Sequence, residues 1–390
     1  MNKTPVVFIV IDGGPARVER ITKIATSLRD LGICVRVVCP QGSQALSDYE
    51  TIYLPFLRFP HLRWSFYLQL FLFLVRTKSS LVHFVNYPDY ALVAICLARY
   101  LGGFKVVYDR RSDWSGSLTY TNPKWSSIAS FVENLGERLS DGISVVVPAF
   151  KDKLSNYAAK VVIVPNGVDL KMFKPEPRRS DHPIVTCVAG LTESEGPRVF
   201  IEAASIVKKE LPQVEFVWVG SGWGNEDQKY KQLSKDLGAN VRFTGWVEHR
   251  QVSKYINDAT VCVSCVLPWP SADVAFPVKL FEYLACERPV VVSNTPGHLQ
   301  LIDDGVNGLV YRSDSAADLA EKVVTLLKDP VLGRKLANHG KKLSKEYSWN
   351  NCFKVLVGLY RRVGLEIPIF GSVHEQAPYM QIGTQQGHEP

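Results

Sequence analysis

The sequence has neither a long apolar run nor a cluster of basic residues, and each absence excludes a class of protein. Its most apolar window, Trp64–Val75, is interrupted by Ser65 and Gln69 and is shorter than the roughly 20 apolar residues of a membrane-spanning helix. Lys and Arg number 45 and Asp and Glu 38, for a net charge of +7, and no Lys/Arg cluster appears, so a nucleic-acid partner is not expected. The mild positive surplus suits small anionic ligands or an anionic membrane surface.

Cysteine is also sparse, with eight residues in 390, and its spacing completes no metal site. Cys262 and Cys265 have C-x-x-C spacing, but no second pair or histidine cluster accompanies them. Their apolar neighbours are typical of a buried strand, so we interpret both thiols as core residues. Unpaired cysteines favour a reducing compartment, and the apolar run Val6–Ile11 is too short for a signal peptide. The sequence therefore predicts a cytoplasmic protein.

What is present is a regular alternation of apolar strand-like runs and stretches with helical periodicity. Near-continuous apolar strands separated by helices imply a parallel sheet covered on both faces. The pattern stops at Lys171–Pro183, which holds three prolines and many charges, and then restarts. We therefore predict an α/β chain with domains at 1–170 and 183–348, a linker at 171–182, a helix at 349–363 and a disordered tail at 364–390.

Loops that follow predicted strands are the first candidates for function, because parallel sheets bind ligands outside the carboxyl ends of their strands. Gly13-Gly14 follows the first strand, where a phosphate can approach backbone N–H groups, although a plain tight turn explains the pair equally well. Asp109, with Arg110-Arg111, follows a strand at 104–108, and we favour a functional loop over a solvated charge cluster. Gly220 and Gly222 follow a later strand and permit close backbone approach to a ligand.

The loop at 268–288 carries the most chemistry. Irregular residues that include Asp273 lead into a helix that begins near Pro277. Lys279 and Glu282 are three residues apart and share one face of that helix. A cation in the first turn opposes the helix dipole, so an anionic ligand would explain Lys279; a surface Lys279–Glu282 pair is the alternative.

Taken together in order, these segments resemble a GT-B glycosyltransferase and are most similar to glycosyltransferase family 4. The resemblance runs from about residue 6 to 363 and is carried by PNGVD at 165–169, VGSG at 219–222, FTGWV at 243–247 and PVKLFEYLACERPVVVSNTPG at 277–297. It implies two facing Rossmann-like domains, with a last helix that crosses back to the first. It also implies a hexosyl-type transfer with retention, from a nucleotide-sugar to a glycan or lipid-linked acceptor, without a metal or other cofactor, in surface or secreted glycan synthesis.

The resemblance also assigns the residues that bind the donor. Glu282 matches the ribose-binding glutamate, Gly13-Gly14 the loop that faces the diphosphate, and Trp246-Val247 the stretch that contacts the base. The remaining residues assigned to donor binding are Gly220, Gly222, Pro277 and Lys279.

The chain departs from the family pattern where the diphosphate should be held. The residues that stand in place of the family's usual ones are Leu191 for Arg, Glu195 for Lys, Val274 for the first Glu of E-x7-E, and Tyr108 for His. A departing nucleoside diphosphate needs nearby positive charge, and Lys279 and Arg198 are the nearest substitutes in sequence. Asp109 and Asp273 complete the predicted catalytic set. A catalytically weak or inactive GT-B module that binds nucleotide or scaffolds a partner enzyme is the alternative. A sugar-nucleotide epimerase on this fold fits the motifs less well.

The aromatic-rich stretch Phe56–Lys78 has two interpretations. Basic residues bracket it, at Arg58, Arg63, Arg76 and Lys78. In the first interpretation Trp64–Val75 is a buried helix that covers the first sheet. In the second, part of its surface docks on anionic lipid and holds the protein peripherally on the inner face of the cell membrane.

Overall fold

The computed structural model describes residues 6–11, 19–41, 50–55, 64–85, 90–111, 114–121, 123–268 and 277–367. Contacts divide the chain into two compact units. The first combines the residues up to Asn166 with those from Asn350 onward, and the second is Gly167–Trp349. Both are α/β units built on a parallel sheet, so the predicted fold class is confirmed. Most of the tail predicted to be disordered, 368–390, lies outside the described residues.

The first unit contains, within the described residues, a seven-stranded parallel sheet in the order β3-β2-β1-β4-β5-β6-β7. Its strands are β1 (Val6–Ile11), β2 (Cys34–Pro40), β3 (Glu50–Leu54), β4 (Leu81–Val85), β5 (Lys105–Arg110), β6 (Gly142–Val145) and β7 (Val161–Ile163). Its helices up to residue 153 are α1 (Glu19–Asp30), α2 (Trp64–Arg76), α3 (Tyr90–Gly102), α4 (Trp114–Thr121), α5 (Pro123–Leu139) and α6 (Pro148–Lys153).

The helix α2 is amphipathic. Phe66, Leu70 and Leu74, spaced four residues apart, are buried, whereas Leu68 and Leu72 on another face are exposed. One face of α2 therefore belongs to the core, as the first interpretation of this stretch requires, and another faces solvent. Within the ranges that the structure describes, every helix is too short or too polar to cross a membrane.

The second unit contains, in its described part, a six-stranded parallel sheet in the order β10-β9-β8-β11-β12-β13. Its strands are β8 (Ile184–Val188), β9 (Glu215–Val219), β10 (Arg242–Phe243), β11 (Val261–Ser264), β12 (Val290–Ser293) and β13 (Leu309–Tyr311). Its helices are α7 (Pro197–Glu210), α8 (Glu226–Asp236), α9 (His249–Asp258), α10 (Val278–Ala285), α11 (Pro296–Leu299), α12 (Ala316–Lys328) and α13 (Pro330–Glu346).

The two faces of β8 support two different cores. Val185 and Cys187 pack into the large cluster that also holds Phe200 and Trp218, while Ile184 belongs to a smaller cluster on the opposite face. This alternation follows from the twofold period of a strand. Cys262 and Cys265 are unpaired and fully buried, which confirms their interpretation as core residues.

The last helix, α14 (Trp349–Arg362), belongs almost entirely to the first unit. It buries Leu356 and Tyr360, and the Tyr360 hydroxyl lies 3.0 Å from Nδ1 of His83 in β4. A Cβ on Gly142 of β6 would lie 2.8 Å from Cδ1 of Leu359, so the glycine makes room for this helix. The first unit is therefore completed by residues that follow the second unit in sequence.

Candidate functional site

The second sheet reverses its strand order between β8 and β11, and the loops that follow these two strands meet there. The N–H of Leu267, after β11, donates to the carbonyl of Ser194, after β8, at 2.9 Å. Ligands of open parallel sheets bind at the carboxyl edge beside such a reversal. Several residues predicted from the sequence lie on the elements around this edge.

Lys279 lies in the first turn of α10, and its ammonium pairs with the carboxylate of Glu195. The Lys279 side chain is 14% exposed and that of Glu195 is 31% exposed. Burial disfavours the charged form of the ammonium and is the largest single effect, but the Glu195 carboxylate and other neighbouring groups together outweigh it, and the pKa of Lys279 is raised. Glu195, which stands in place of a lysine of the family pattern, therefore neutralises Lys279, the residue predicted to supply the missing positive charge.

Glu282 lies one turn further along α10 and is almost completely buried. Its Oε1 lies 2.8 Å from Nε2 of His249, the first residue of α9. The imidazole of His249 packs against Phe173, with ring centroids 5.2 Å apart. Lys279 and Glu282 thus each pair with a residue from another loop, and the alternative of a surface Lys279–Glu282 pair is wrong.

Gly220 and Gly222 are required by packing within the protein itself. Gly220 has a φ of +139°, and a Cβ there would lie 2.0 Å from the carbonyl oxygen of Ala189. A Cβ on Gly222 would lie 2.8 Å from the carbonyl oxygen of Leu191, and the Gly222 N–H donates to Asp227 at 2.9 Å. The two glycines let the loop after β9 lie directly against the loop after β8.

Two tryptophans are exposed beside these glycines. Trp223 is 75% exposed after β9, and Trp246 is 77% exposed after β10. The N–H of Gly220 donates to the carbonyl of Gly245 at 3.1 Å, which joins the two loops. Val247 packs against the smaller core, so within the predicted Trp246-Val247 pair only the tryptophan presents a large free surface.

Arg198 forms its ion pair within its own helix. It lies in the first turn of α7 with a side chain that is 60% exposed, and its guanidinium lies 3.5 Å from Glu202 one turn later. Pro277, by contrast, is the residue that precedes α10, as predicted. Gly13, Gly14 and Asp273 lie outside the described residues.

Asp109 does not lie in a strand-end loop. It is inside β5, paired with Val85 on β4 and Ser144 on β6, and is fully buried. Its two oxygens accept from Arg20 at 2.8 and 3.0 Å, and the Ser144 hydroxyl donates at 2.7 Å. Burial alone would raise the pKa of Asp109, but Arg20 and His83 hold it well below its usual range. This geometry is that of a structural ion pair, which corrects the predicted placement.

Sequence patterns point only weakly to the partners that complete these sites. His249 follows FTGWV by one residue and begins a helix, so its proximity to the edge could have been inferred. Arg20 gave no such signal, because its partner lies 89 residues away. Among the residues that the structure describes, no three His, Cys, Asp or Glu side chains gather as a bound metal ion would require.

Two protein-family models match the chain. The model described as Glycosyl transferases group 1 matches residues 182–329, and the model described as Glycosyltransferase Family 4 matches residues 18–172. The two matches therefore fall on the second and first units respectively.

Curated relatives carry related names. D-inositol 3-phosphate glycosyltransferase of Paenarthrobacter aurescens is 27% identical over 65% of this chain and 70% of its own length. Alpha-D-kanosaminyltransferase of Streptomyces kanamyceticus is 28% identical over 47% of each chain, so the match spans about half of that relative.

Solved structures share the fold along most of the chain. HepE of Anabaena, in complex with UDP, superposes with a TM-score of 0.75 at 18% identity, over 92% of this chain and 99% of that one. Sucrose-phosphate synthase of Thermosynechococcus elongatus gives a TM-score of 0.71 at 19% identity, with the same coverage.

Proposed function

Because the chain belongs to the GT-B glycosyltransferases of the family 4 type, we propose that it transfers a hexosyl group, with retention, from a nucleotide-sugar to a glycan or lipid-linked acceptor. The observation that carries this proposal is the buried carboxylate of Glu282 at the carboxyl edge of the second sheet. HepE of Anabaena, which shares the fold, has been solved with UDP and with UDP-glucose, which supports a donor of that class.

Each side chain around the edge suits one part of such a donor. A carboxylate held by His249 can accept hydrogen bonds from both ribose hydroxyls, so Glu282 is proposed to bind the ribose. The exposed indole of Trp246 offers a face on which a base can stack. Lys279 is the buried cation proposed to meet the diphosphate, in place of a metal ion.

Binding of a diphosphate to Lys279 sets a requirement on Glu195. A diphosphate that reaches Lys279 must compete with the carboxylate already paired with it. A diphosphate carries more negative charge than a single carboxylate. We therefore propose that the donor diphosphate replaces Glu195 as the partner of the Lys279 ammonium. In this proposal Lys279 supplies the positive charge for which the chain lacks the family's two cations.

The experiment that tests the proposal replaces Glu282 with Gln. A hydrogen bond to a charged group contributes about 1.5–3 kcal/mol, so the affinity for UDP should fall by about ten- to a hundredfold while the fold is kept. Titration calorimetry measures the affinity, and release of UDP from UDP-sugars measures turnover. The matched control is Glu248→Gln, an exposed residue two positions after Trp246.

Unchanged affinity in Glu282→Gln would refute the ribose assignment. If the intact protein released nucleotide from none of a panel of nucleotide-sugars, the binding-module alternative would replace the transferase proposal.

A lipid-linked acceptor is favoured by the surface of the first unit. Its helices α2, α3 and α5 expose large apolar side chains, namely Leu68, Leu72, Leu97, Tyr100, Leu101, Trp125, Ile128 and Phe131. These helices are neighbours: the site of a Cβ on Gly136 of α5 is filled by Leu92 of α3, and α2 packs on α3. We refer to this surface as the apolar face. We propose that so many exposed apolar side chains on neighbouring helices form an interaction surface.

The exposed charges that α2, α3 and α5 themselves carry are mostly positive. The acidic residues of α2, α3 and α5 are Glu133 and Glu137, and both are buried against Arg110. Arg76, Lys78 and Lys124 are exposed. Exposed aromatics on the same helices as exposed cations suit an anionic lipid surface, so we propose peripheral attachment through the apolar face.

A further inference from the structure

A cavity lies in the second unit, away from the carboxyl edge. It has a volume of about 380 Å³ and is bounded by Thr186, Arg242, Lys254 and Tyr255, with Arg179 and Asp258 at its rim. Arg242 begins β10 and Asp258 ends α9, whereas the residues proposed to bind the donor follow the ends of the strands. This cavity, which we call the α9 cavity, is therefore separate from the proposed donor site.

The floor of the α9 cavity holds a buried hydroxyl without a partner. Along β8, Ile184 and Thr186 face the cavity and alternate with Val185 and Cys187, which face the main core. Thr186 is 1% exposed, and its Oγ1 has no hydrogen-bond partner among the described residues. A buried hydroxyl without a partner is unfavourable by about 1–3 kcal/mol, so its presence among Val and Ile calls for a ligand or water that satisfies it.

The walls of the cavity carry more positive than negative charge. Arg179 is neutralised by Asp258, and Arg242 pairs with Glu215 while its guanidinium carbon lies 6.0 Å from the centre of the Tyr255 ring. Lys254 is the remaining cation of the lining. It shares one face of α9 with Gln251, Tyr255 and Asp258, which are three or four residues apart.

We infer that the α9 cavity is a second ligand site, which binds a small hydroxylated anion of about the size of a monosaccharide phosphate. Lys254, assisted by Arg242, meets the phosphate or carboxylate, and Gln251 and Tyr255 contact the hydroxylated body. Thr186 supplies a hydrogen bond at the floor, between the apolar side chains of Ile184 and Val217. The volume falls within the range of small-molecule sites in proteins.

The test titrates the full chain with glucose 6-phosphate, glucuronate and neutral glucose. Methyl NMR signals of Thr186 and Ile184 report on the cavity directly, and calorimetry gives the affinity. We expect millimolar or tighter binding of at least one anion, with shifts of both methyl signals, and at least tenfold weaker binding of glucose. Which anion binds distinguishes a phosphate from a carboxylate ligand.

Substitutions in the lining, with a control on the surface, separate the α9 cavity from other cationic surfaces. Lys254→Ala should weaken the anion about tenfold or more, because it removes a charged hydrogen bond, whereas Lys231→Ala on the exposed surface of α8 should not. Thr186→Val keeps the side-chain shape, so it should weaken the anion about fivefold while the ligand-free protein remains at least as stable.

The inference is overturned if neither anion shifts the two methyl signals, or if Lys254→Ala binds as tightly as the unsubstituted chain. A loss of stability in ligand-free Thr186→Val would show that the hydroxyl already has an internal partner, and would equally remove the argument for the site.

Discussion

Glu195 holds the ammonium of Lys279 in a largely buried ion pair, in a loop where the family carries a cation. The pair keeps Lys279 protonated, because its raised pKa lies further from neutral pH than that of a free lysine. It also occupies the ammonium with an internal carboxylate. Glu195 therefore stabilises the ligand-free protein but opposes the proposed binding of the donor diphosphate to Lys279.

The substitution Glu195→Gln exposes that opposition. Without the carboxylate, burial alone acts on Lys279, so its pKa should fall and the nucleotide-free protein should lose about 1–3 kcal/mol of stability. UDP should restore most of that loss and should bind several-fold more tightly than to the unsubstituted chain. Thermal denaturation with and without UDP measures both effects.

The control for Glu195→Gln is Glu193→Gln, an exposed residue of the same short turn. Equal stabilisation by UDP in the two variants would contradict the proposed competition at Lys279.

Asp109 illustrates a different use of charge. Asp109→Asn leaves the buried guanidinium of Arg20 without its counter-ion, so the free energy of unfolding should fall by about 3–5 kcal/mol. Because the pKa of Asp109 is lowered in the folded state, its contribution is present at neutral pH and is lost as pH falls below about 4. Denaturant unfolding at pH 7 and in acid measures this dependence.

The exposed pair Arg36–Glu50 provides the comparison, and Glu50→Gln should change stability by less than about 1 kcal/mol. If Asp109→Asn abolished turnover and left stability intact, Asp109 would be catalytic and its structural assignment would fail.

Single residues also show how far the sequence could predict the site. Pro277, Lys279 and Glu282 were assigned to one helix from their spacing, and the helix is there. Their partners Glu195 and His249 come from other loops, and contacts between distant loops leave no periodicity in a sequence. Asp109 was misplaced for a related reason: a charged residue resembles a loop residue until its buried partner is known.

Among the elements, the apolar face of α2, α3 and α5 is the feature most open to test. Liposomes that contain anionic lipid should sediment the protein at low salt, and high salt should release it. Leu101→Glu with Phe131→Glu should reduce binding to background, because both side chains are about two-thirds exposed and their loss spares the core.

The control pair is Leu237→Glu with Val331→Glu, which are exposed apolar residues of the second unit. Sedimentation with neutral liposomes alone, or none with any liposome, would contradict attachment to an anionic surface.

The elements also show where sequence patterns are sufficient. Amphipathic or wholly apolar elements such as β1 and α2 are predicted within about one residue, because burial imposes their period. The strand β3 and the helix α13 were missed. β3 is half-exposed, and the buried face of α13 consists largely of the small residues Gly333, Ala337, Gly340 and Ser344, so neither shows a row of large apolar side chains.

At the scale of the whole molecule, the described part of the second unit is one continuous segment, Gly167–Trp349, and that of the first unit is not. A fragment of residues 167–349 should therefore fold cooperatively alone and bind UDP through Glu282 and His249 with an affinity within about tenfold of the intact chain. A fragment of residues 1–166 lacks α14 and should not fold cooperatively. Circular dichroism on denaturation and calorimetry distinguish the two fragments. Cooperative unfolding of 1–166 would show that α14 is dispensable.

The late position of α14 also bears on how the chain is made. About 180 residues separate Asn166 from Asn350, so at a synthesis rate of about 5–20 residues per second the ribosome needs roughly 10–40 seconds to produce them. Throughout that interval the surface around His83 and Gly142 that α14 will cover remains open on the nascent chain. The unit that is synthesised first is thus completed last, and its exposed apolar surface is one to which a ribosome-associated chaperone would bind.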